Sequence, residues 1–177
     1  MGRIVLIVWY FAASLLGAGL LLAGSSRDVA AADYMIINMQ TNKCLTIAGG
    51  TSRENNVVAV QYICDAHPSR RWNVLGSGGV YQFRNLETGK CLTIAGGRSP
   101  DNNVRALQYN CDNDRSRYWS LHDGPGEGVF KVENLQTGKC LTIAGGRSTD
   151  NNVEALQSDC DDDRSRTWEI RRVTIID

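Results

Sequence analysis

The sequence has no excess of either charge, with 19 lysines and arginines against 19 aspartates and glutamates in 177 residues. Without a basic surplus the protein lacks the field that attracts proteins to a phosphate backbone, so we expect no nucleic-acid partner. Metal ligands are also scarce, because the chain has only two histidines and no Cys-x-x-Cys pair. We therefore expect no metal site and no cofactor.

Sequence motifs of catalysis are absent as well. The chain contains no nucleophile elbow, zinc-binding helix or phosphate loop, and its histidines, His67 and His122, fall in polar loops. The acidic runs at 112–114 and 161–163 suggest calcium loops as an alternative, but the corresponding run at 65–67 reads Asp-Ala-His and lacks the oxygen ligands. The sequence therefore predicts a protein that is not an enzyme.

The first 32 residues differ in character from the rest. Arg3 is followed by a nearly unbroken apolar run at 4–23, and three alanines end the segment at 30–32. This order is typical of a secretory signal peptide, and we predict cleavage after Ala32. The apolar run is almost long enough to span a bilayer, so an uncleaved membrane anchor is the alternative. No second run of this kind follows, and we expect residues 33–177 to form one secreted, extracellular domain with no membrane contact.

Three copies of one unit make up the rest of the chain. The string Lys-Cys-Leu-Thr-Ile-Ala-Gly-Gly occurs three times, at spacings of 47 and 49 residues, and the tryptophans Trp72, Trp119 and Trp168 recur at the same spacings. The two extra residues lie in the loop at 122–128. Such self-similarity predicts repeats of one structural unit, at about 34–80, 81–129 and 130–177.

Each unit is predicted to contain four short strands. Alternating apolar runs are separated by Asn, Gly and Asp, which is typical of strands joined by tight turns, and no stretch after residue 32 keeps a helical period for more than a turn or two. A four-stranded unit cannot bury its apolar face alone. Because the three units are nearly identical, they favour closure around a three-fold axis over a solenoid with distinct capping units.

The cysteines follow the same repeat. Each unit carries two, always 20 residues apart. Six cysteines allow fifteen pairings, but the repeat symmetry selects Cys44–Cys64, Cys91–Cys111 and Cys140–Cys160. Three disulfides indicate an oxidising compartment, in agreement with the predicted signal peptide.

The Lys-Cys-Leu strings, the cysteine 20 residues later and the tryptophan eight residues after that resemble the ricin B-chain family of β-trefoil lectins and carbohydrate-binding modules. The resemblance covers essentially all of 33–177. It implies an all-β fold: a β-trefoil of three homologous four-strand repeats with pseudo-three-fold symmetry. It also implies up to one shallow sugar pocket per repeat, in which an aromatic ring stacks on the sugar and polar side chains pair with its hydroxyls.

Matching this pattern to the chain assigns carbohydrate binding to Thr46 and Tyr62 in the first repeat and to Thr93 and Tyr109 in the second. The third repeat has Ser158 at the aromatic position. Family members that bind galactose-like sugars have an aspartate where this chain has threonine. A single hydroxyl pairs with sugar hydroxyls more weakly than a carboxylate does, so we do not expect ordinary galactose binding: the alternatives are pockets with changed specificity, weakened pockets and lost pockets.

Other recurring residues have predicted structural roles. The three tryptophans are expected in the core. Alternation along the strand turns the threonines after each Cys-Leu outward, whereas the recurring glutamines are expected to bond backbone groups inside the fold. The recurring arginines are expected to pair with the aspartate after each second cysteine. The threonines are Thr46, Thr93 and Thr142, and the glutamines are Gln61, Gln108 and Gln157. The arginines are Arg70, Arg117 and Arg166, and the aspartates are Asp65, Asp112 and Asp161.

Two functions agree with these observations. The first is a secreted, monomeric, lectin-like protein that binds oligo- or polysaccharides through the first two repeats. The second is a secreted protein-binding trefoil, such as a hydrolase inhibitor, whose loops have replaced the sugar pockets.

Overall fold

The computed structural model describes residues 32–174, so the predicted signal peptide lies outside the described residues except for Ala32. Twelve strands and three short 3₁₀-helices follow one another in these residues, without an α-helix. The strands are β1 Asp33–Asn38, β2 Cys44–Ile47, β3 Ala59–Tyr62, β4 Trp72–Ser77, β5 Val80–Asn85, β6 Cys91–Ile94, β7 Ala106–Tyr109, β8 Trp119–Asp123, β9 Val129–Asn134, β10 Cys140–Ile143, β11 Ala155–Ser158 and β12 Thr167–Arg172. The 3₁₀-helices, at Pro68–Arg70, Arg115–Arg117 and Arg164–Arg166, precede β4, β8 and β12.

Six strands close into a barrel. In ring order they are β1, β4, β5, β8, β9 and β12, and every neighbouring pair is antiparallel. The other six form the hairpins β2–β3, β6–β7 and β10–β11 outside this ring. Strands β3, β7 and β11 contact one another. Each repeat thus contributes two barrel strands and one hairpin, and the predicted all-β trefoil with pseudo-three-fold symmetry is confirmed. Within residues 32–174, none of the helices has both the length and the hydropathy of a membrane-spanning segment.

The core is built around the three tryptophans. All three side chains are fully buried, beside the leucine and isoleucine of each Leu-Thr-Ile string. Each indole N–H donates to the carbonyl of the leucine in its own repeat, at 2.9–3.1 Å. This bond satisfies the one polar atom of the ring. The predicted role of the tryptophans in the core is confirmed.

Covalent links join the two strands of every hairpin. The three disulfides are those predicted, and the two Cα atoms of each pair lie 5.0 Å apart. Each bond connects the first residue of the second strand in a repeat to the residue two positions after the third strand. The disulfides therefore hold the hairpins closed at the end where the polypeptide enters and leaves them.

Three buried glutamines tie the repeats to one another. The side-chain amide of Gln61 donates to the backbone carbonyls of Ser148 and Asp150 in the third repeat, at 2.7 and 2.8 Å. Gln108 donates in the same way to two carbonyls of the equivalent loop in the first repeat, and Gln157 to two carbonyls of that loop in the second repeat. The predicted bonds to backbone are confirmed, and they form a ring in which each repeat holds a loop of another.

Candidate functional site

A pocket of the same construction lies in every repeat, between the hairpin and the 3₁₀-helix. The volumes are about 470, 270 and 250 Å³ in the first, second and third repeats. The characteristic lining residues are Thr46, Tyr62, His67, Arg70 and Asn152 in the first pocket; Asn56, Thr93, Tyr109, Asp114 and Arg117 in the second; and Asn103, Thr142, Ser158, Asp163 and Arg166 in the third.

The structure brings the sequence-predicted site residues together in pairs. Thr46 and Tyr62 line the first pocket, and Thr93 and Tyr109 line the second. Each pair stands on adjacent strands of one hairpin, near its disulfide. Contact of these four residues with a sugar stays a prediction.

The threonines form the floor of the pockets. Thr46 and Thr93 are each only 2% exposed, and their hydroxyls donate to the backbone carbonyls of Ser69 and Ser116, at 2.8 and 3.1 Å. They lie on the outward side of their strands, as the alternation predicted, but the 3₁₀-helix covers that side and buries them. Since the hydroxyl proton is already used, the oxygen can offer a ligand only its remaining acceptor capacity.

An arginine lies over each tyrosine. The guanidinium carbons of Arg70 and Arg117 are 4.3 and 4.4 Å from the ring centroids of Tyr62 and Tyr109, within the range of a cation–π contact. One face of each ring is therefore covered by a guanidinium.

The predicted pairs of these arginines with the aspartates after the second cysteines are confirmed. The Nε to Oδ1 distance is 3.4 Å in the pairs Arg70–Asp65 and Arg117–Asp112, and it is 2.9 Å in Arg166–Asp161. Each pair ties the 3₁₀-helix to the segment that leaves the hairpin, and so fixes one wall of the pocket.

The 3₁₀-helix begins differently in the first repeat. In the second and third repeats Asp114 and Asp163 cap it, and their Oδ1 atoms accept the backbone N–H of Ser116 and Ser165 at 2.9 and 2.8 Å. In the first repeat Nδ1 of His67 accepts the equivalent N–H, from Ser69, at 3.2 Å.

Hydrogen bonds from Ser116 and Ser165, chiefly from the hydroxyl and next from the backbone N–H, lower the pKa values of Asp114 and Asp163 below their ordinary value of 3.8. The second and third pockets therefore each contain a capping carboxylate that stays charged at neutral pH. The first pocket has an imidazole in the same place.

Two consecutive glycines bring the loop after each second strand close to the 3₁₀-helix. Gly96 and Gly97 both have positive φ, 66° and 69°. A Cβ on Gly97 would lie 3.0 Å from Oγ of Ser116, whereas one on Gly96 would meet no atom within 4 Å. The second glycine is required by this close approach, and the first leaves the rim of the pocket open.

Each pocket also contains an asparagine from a different repeat, which the sequence analysis missed. Asn56, Asn103 and Asn152 line the second, third and first pockets, respectively. All three have φ of 65–67°, and their backbone N–H groups donate to the carbonyls of the ring glutamines. The sequence does contain a signal, because an Asn-Asn pair ends six residues after the second glycine in every repeat.

The comparison with protein families agrees with this architecture. The family model of the ricin-type β-trefoil lectin domain-like family matches residues 9–109, 68–155 and 115–175. No curated protein matches the chain in sequence.

Solved structures with the same fold include a designed three-fold symmetric protein, ThreeFoil, with a TM-score of 0.74 and 20% identity over 80% of this chain and 99% of that one. The ricin B-like lectin of Macrolepiota procera, solved with lactose, has a TM-score of 0.66 and 17% identity over 81% and 96%. An exo-β-1,3-galactanase from Clostridium thermocellum has a TM-score of 0.74 and 22% identity, but this chain covers only 30% of it.

At these identities the solved structures establish the shared fold. The family model, in contrast, recognises the sequence itself over most of its length. Together with the closed barrel, the three hairpins and the recurring pocket, this match identifies the chain as a member of the ricin-type β-trefoil lectin domain-like family.

Proposed function

We propose that the protein is a secreted, non-catalytic carbohydrate-binding protein that takes up sugar in its first and second pockets. The observation that carries the proposal is that Tyr62 and Thr46 line one pocket and that Tyr109 and Thr93 line its copy. Partly exposed aromatic rings beside polar groups in a preformed pocket suit sugars, because a sugar has both apolar C–H faces and hydroxyl edges.

The lining groups favour binding over chemistry. Hydrolysis of a glycoside uses a pair of carboxyl groups on opposite sides of the bond. Among the described residues, the second pocket is lined by one carboxylate, Asp114, and the first by none. No group of three or more His, Cys, Asp or Glu side chains in 32–174 is positioned to hold a metal ion.

Two weak pockets on one rigid trefoil are suited to a polymeric glycan. When one pocket is occupied, the second meets its sugar at a high effective concentration, and the combined affinity exceeds that of either pocket. The protein therefore acts as a monomer that gains affinity from repeated sugars rather than from one deep site.

Secretion is part of the same proposal. Residues 1–32 act as a signal peptide that is removed, and residues 33–177 form the mature trefoil domain. The three disulfides support this assignment, since such bonds persist in oxidising compartments outside the cytoplasm.

The test is a glycan array probed with the purified protein, its disulfides formed, beside a double Tyr62→Ser and Tyr109→Ser variant. Serine is the residue of the third repeat, where Ser158 accepts a hydrogen bond from Arg166 at 3.1 Å, so the arginine keeps a partner. We expect binding to one class of glycan by the protein and its loss in the variant.

The matched control is Tyr118→Thr. Tyr118 lies outside the three pockets, and the equivalent residue of the third repeat is Thr167. Unchanged binding by the control and unchanged binding by the double variant together would contradict the assignment of the tyrosines.

Protein binding is the second candidate function. It is favoured by the guanidinium groups that cover one face of both pocket tyrosines, and by Ile63, which is 52% exposed beside the first hairpin. A folded protein that binds no glycan on the array would support this alternative and would contradict carbohydrate binding.

A further inference from the structure

We propose that the second pocket is the principal sugar site and that Asp114 is its hydroxyl-binding carboxylate. The inference rests on the proposed carbohydrate function and goes beyond it by naming the working pocket and the residue that replaces the aspartate missing from the hairpin. In this arrangement the acceptor has moved from the second strand of the repeat to the start of the 3₁₀-helix.

The two oxygens of Asp114 have separate roles. Oδ1 accepts the backbone N–H and the hydroxyl of Ser116, at 2.9 and 2.7 Å, and lies 3.4 Å from Nη1 of Arg117. Oδ2 has no hydrogen-bond partner among residues 32–174. The side chain is thus oriented by one oxygen, while the other is available to the pocket that it lines. A carboxylate oxygen can accept from two neighbouring hydroxyls.

Thr93 cannot act as the acceptor of sugar hydroxyls, although it occupies the position of the family's aspartate. Its hydroxyl donates to the carbonyl and approaches the hydroxyl of Ser116, both at 3.1 Å, beneath the same 3₁₀-helix. Threonine at this position therefore binds the helix to the hairpin. The carboxylate that the helix carries is then the acceptor that a sugar hydroxyl meets.

The second pocket also contains hydrogen-bond donors. Arg98 and Asn56 line the same pocket, both are exposed, and their side chains make no hydrogen bond or ion pair within the described part of the chain. Tyr109 adds its ring and a phenol group. A sugar in this pocket can therefore donate hydroxyls to Asp114 and accept hydrogen bonds from Arg98 and Asn56, which matches the mixed character of a sugar edge.

The other two pockets each lack one of these components. The first has Tyr62 but carries His67 in place of the carboxylate, and the third has Asp163 but carries Ser158 in place of the tyrosine. Of the three pockets described here, only the second combines an aromatic ring with a charged acceptor.

The ligand class follows from size and charge. A volume of about 270 Å³ lies below the roughly 300–1,000 Å³ of sites for drug-sized ligands, so the pocket takes one sugar residue. The free oxygen of Asp114 accepts hydrogen bonds from neighbouring hydroxyls and repels a carboxylate placed beside it. The structure thus points to a neutral hexose residue with adjacent hydroxyls.

The test is a titration followed by amide NMR of the 15N-labelled full chain. The probes are the methyl glycosides of galactose, glucose and mannose, with galacturonic acid as the charged comparison. We expect the amides of Asn56, Gly96 and Gly97 to shift at the lowest concentration of one neutral glycoside, and those of Asn152, Gly49 and Gly50 to need more.

Asp114→Asn should weaken binding by roughly tenfold to a hundredfold, the usual effect of losing a charged hydrogen-bond partner. The matched control is Asp163→Asn, which makes the same change at the same cap in the third repeat. Asparagine caps helices as well as aspartate does, so both variants keep the 3₁₀-helix. The control should change affinity by less than about twofold, within ordinary context effects.

His67→Asp is the converse variant. It places a carboxylate beside Tyr62 and should raise the affinity of the first pocket by about tenfold. If a glycoside binds but Asp114→Asn and Asp163→Asn behave alike, or galacturonic acid binds as tightly, sugar binding stands and the assignment of Asp114 is wrong. If no probe shifts any pocket amide, the proposed function and this inference both fail.

Discussion

The side-chain N–H of Gln61 in the first repeat donates a hydrogen bond to the backbone carbonyl of Ser148 in the third repeat, at a distance of 2.7 Å. The same nitrogen donates to Asp150, and the whole side chain is buried. Both acceptors are backbone carbonyls of a loop. Because the loop has no regular secondary structure, these carbonyls would otherwise have no partner within the protein. The glutamine thus stabilises a loop that its own repeat does not contain.

Replacing this residue tests the ring of glutamines. Gln61→Leu keeps the volume of the side chain but leaves two carbonyls and the hydroxyl of Thr41 without their partner. We expect the free energy of unfolding to fall by about 2–4 kcal/mol, as for buried polar groups that lose their bonds. Urea unfolding followed by tryptophan fluorescence measures it.

The control for that change is Gln82→Leu. Gln82 makes one bond near the surface, to the carbonyl of Asp112 at 2.7 Å, so its replacement should cost less than about 1 kcal/mol. Equal losses in the two variants would mean that the ring contributes no special stability.

The glycine pair provides an internal comparison. Gly96→Ala places a Cβ in open space at positive φ and should cost about 1 kcal/mol. Gly97→Ala has the same backbone strain and also drives its Cβ to 3.0 Å from Oγ of Ser116. We expect a loss of about 2–3 kcal/mol there. Thermal unfolding of the two variants measures both losses, and equal losses would show that Ser116 moves away from the added Cβ without cost.

Acid should remove the caps of the second and third 3₁₀-helices. Serine hydrogen bonds lower the pKa of Asp114 and Asp163 in the folded state below 3.8, the value expected for the unfolded chain. Their contribution to stability is therefore complete above pH 3.8 and is lost as the pH falls through the lower folded pKa. A combined Asp114→Ala and Asp163→Ala variant should be less stable at pH 7 by about 1 kcal/mol per cap.

This deficit relative to the unmodified protein should shrink as the pH falls below 3.8 and through the lower folded-state pKa of the two carboxyls, and it should disappear once both are protonated in the folded and the unfolded state. Unfolding in urea at a series of pH values measures the difference. Asp123→Ala, which removes an exposed carboxylate outside the 3₁₀-helices, is the control and should show no comparable dependence. A deficit that persists unchanged in acid would contradict the capping role.

Features present in all three copies could be predicted from the sequence. The constant spacing of cysteines determined the disulfides, and the recurring tryptophans, glutamines and arginines had the roles expected of them. Each of these roles depends either on contacts within one hairpin or on a general rule, such as the rule that a buried amide must be hydrogen-bonded, which holds in any folded protein.

What could not be predicted depends on how separate segments pack. Alternation placed Thr93 on the correct side of its strand, but it could not reveal that the 3₁₀-helix 22 residues later would cover it. Asn56 reaches the second pocket only through the contact between the first and second repeats. Asp114 was visible as part of an acidic run, yet its position at the mouth of a pocket follows from the cap that it forms.

The asparagines shared between repeats have a consequence for how the three pockets can diverge. Because Asn56 belongs to the first repeat and lines the second pocket, a substitution in one copy of the unit alters the site of another. The same holds for Asn103 and Asn152 around the ring. The lining of each pocket therefore depends on two neighbouring repeats. Exchanging one repeat between related chains would transfer only part of one pocket and would also change the lining of a second pocket.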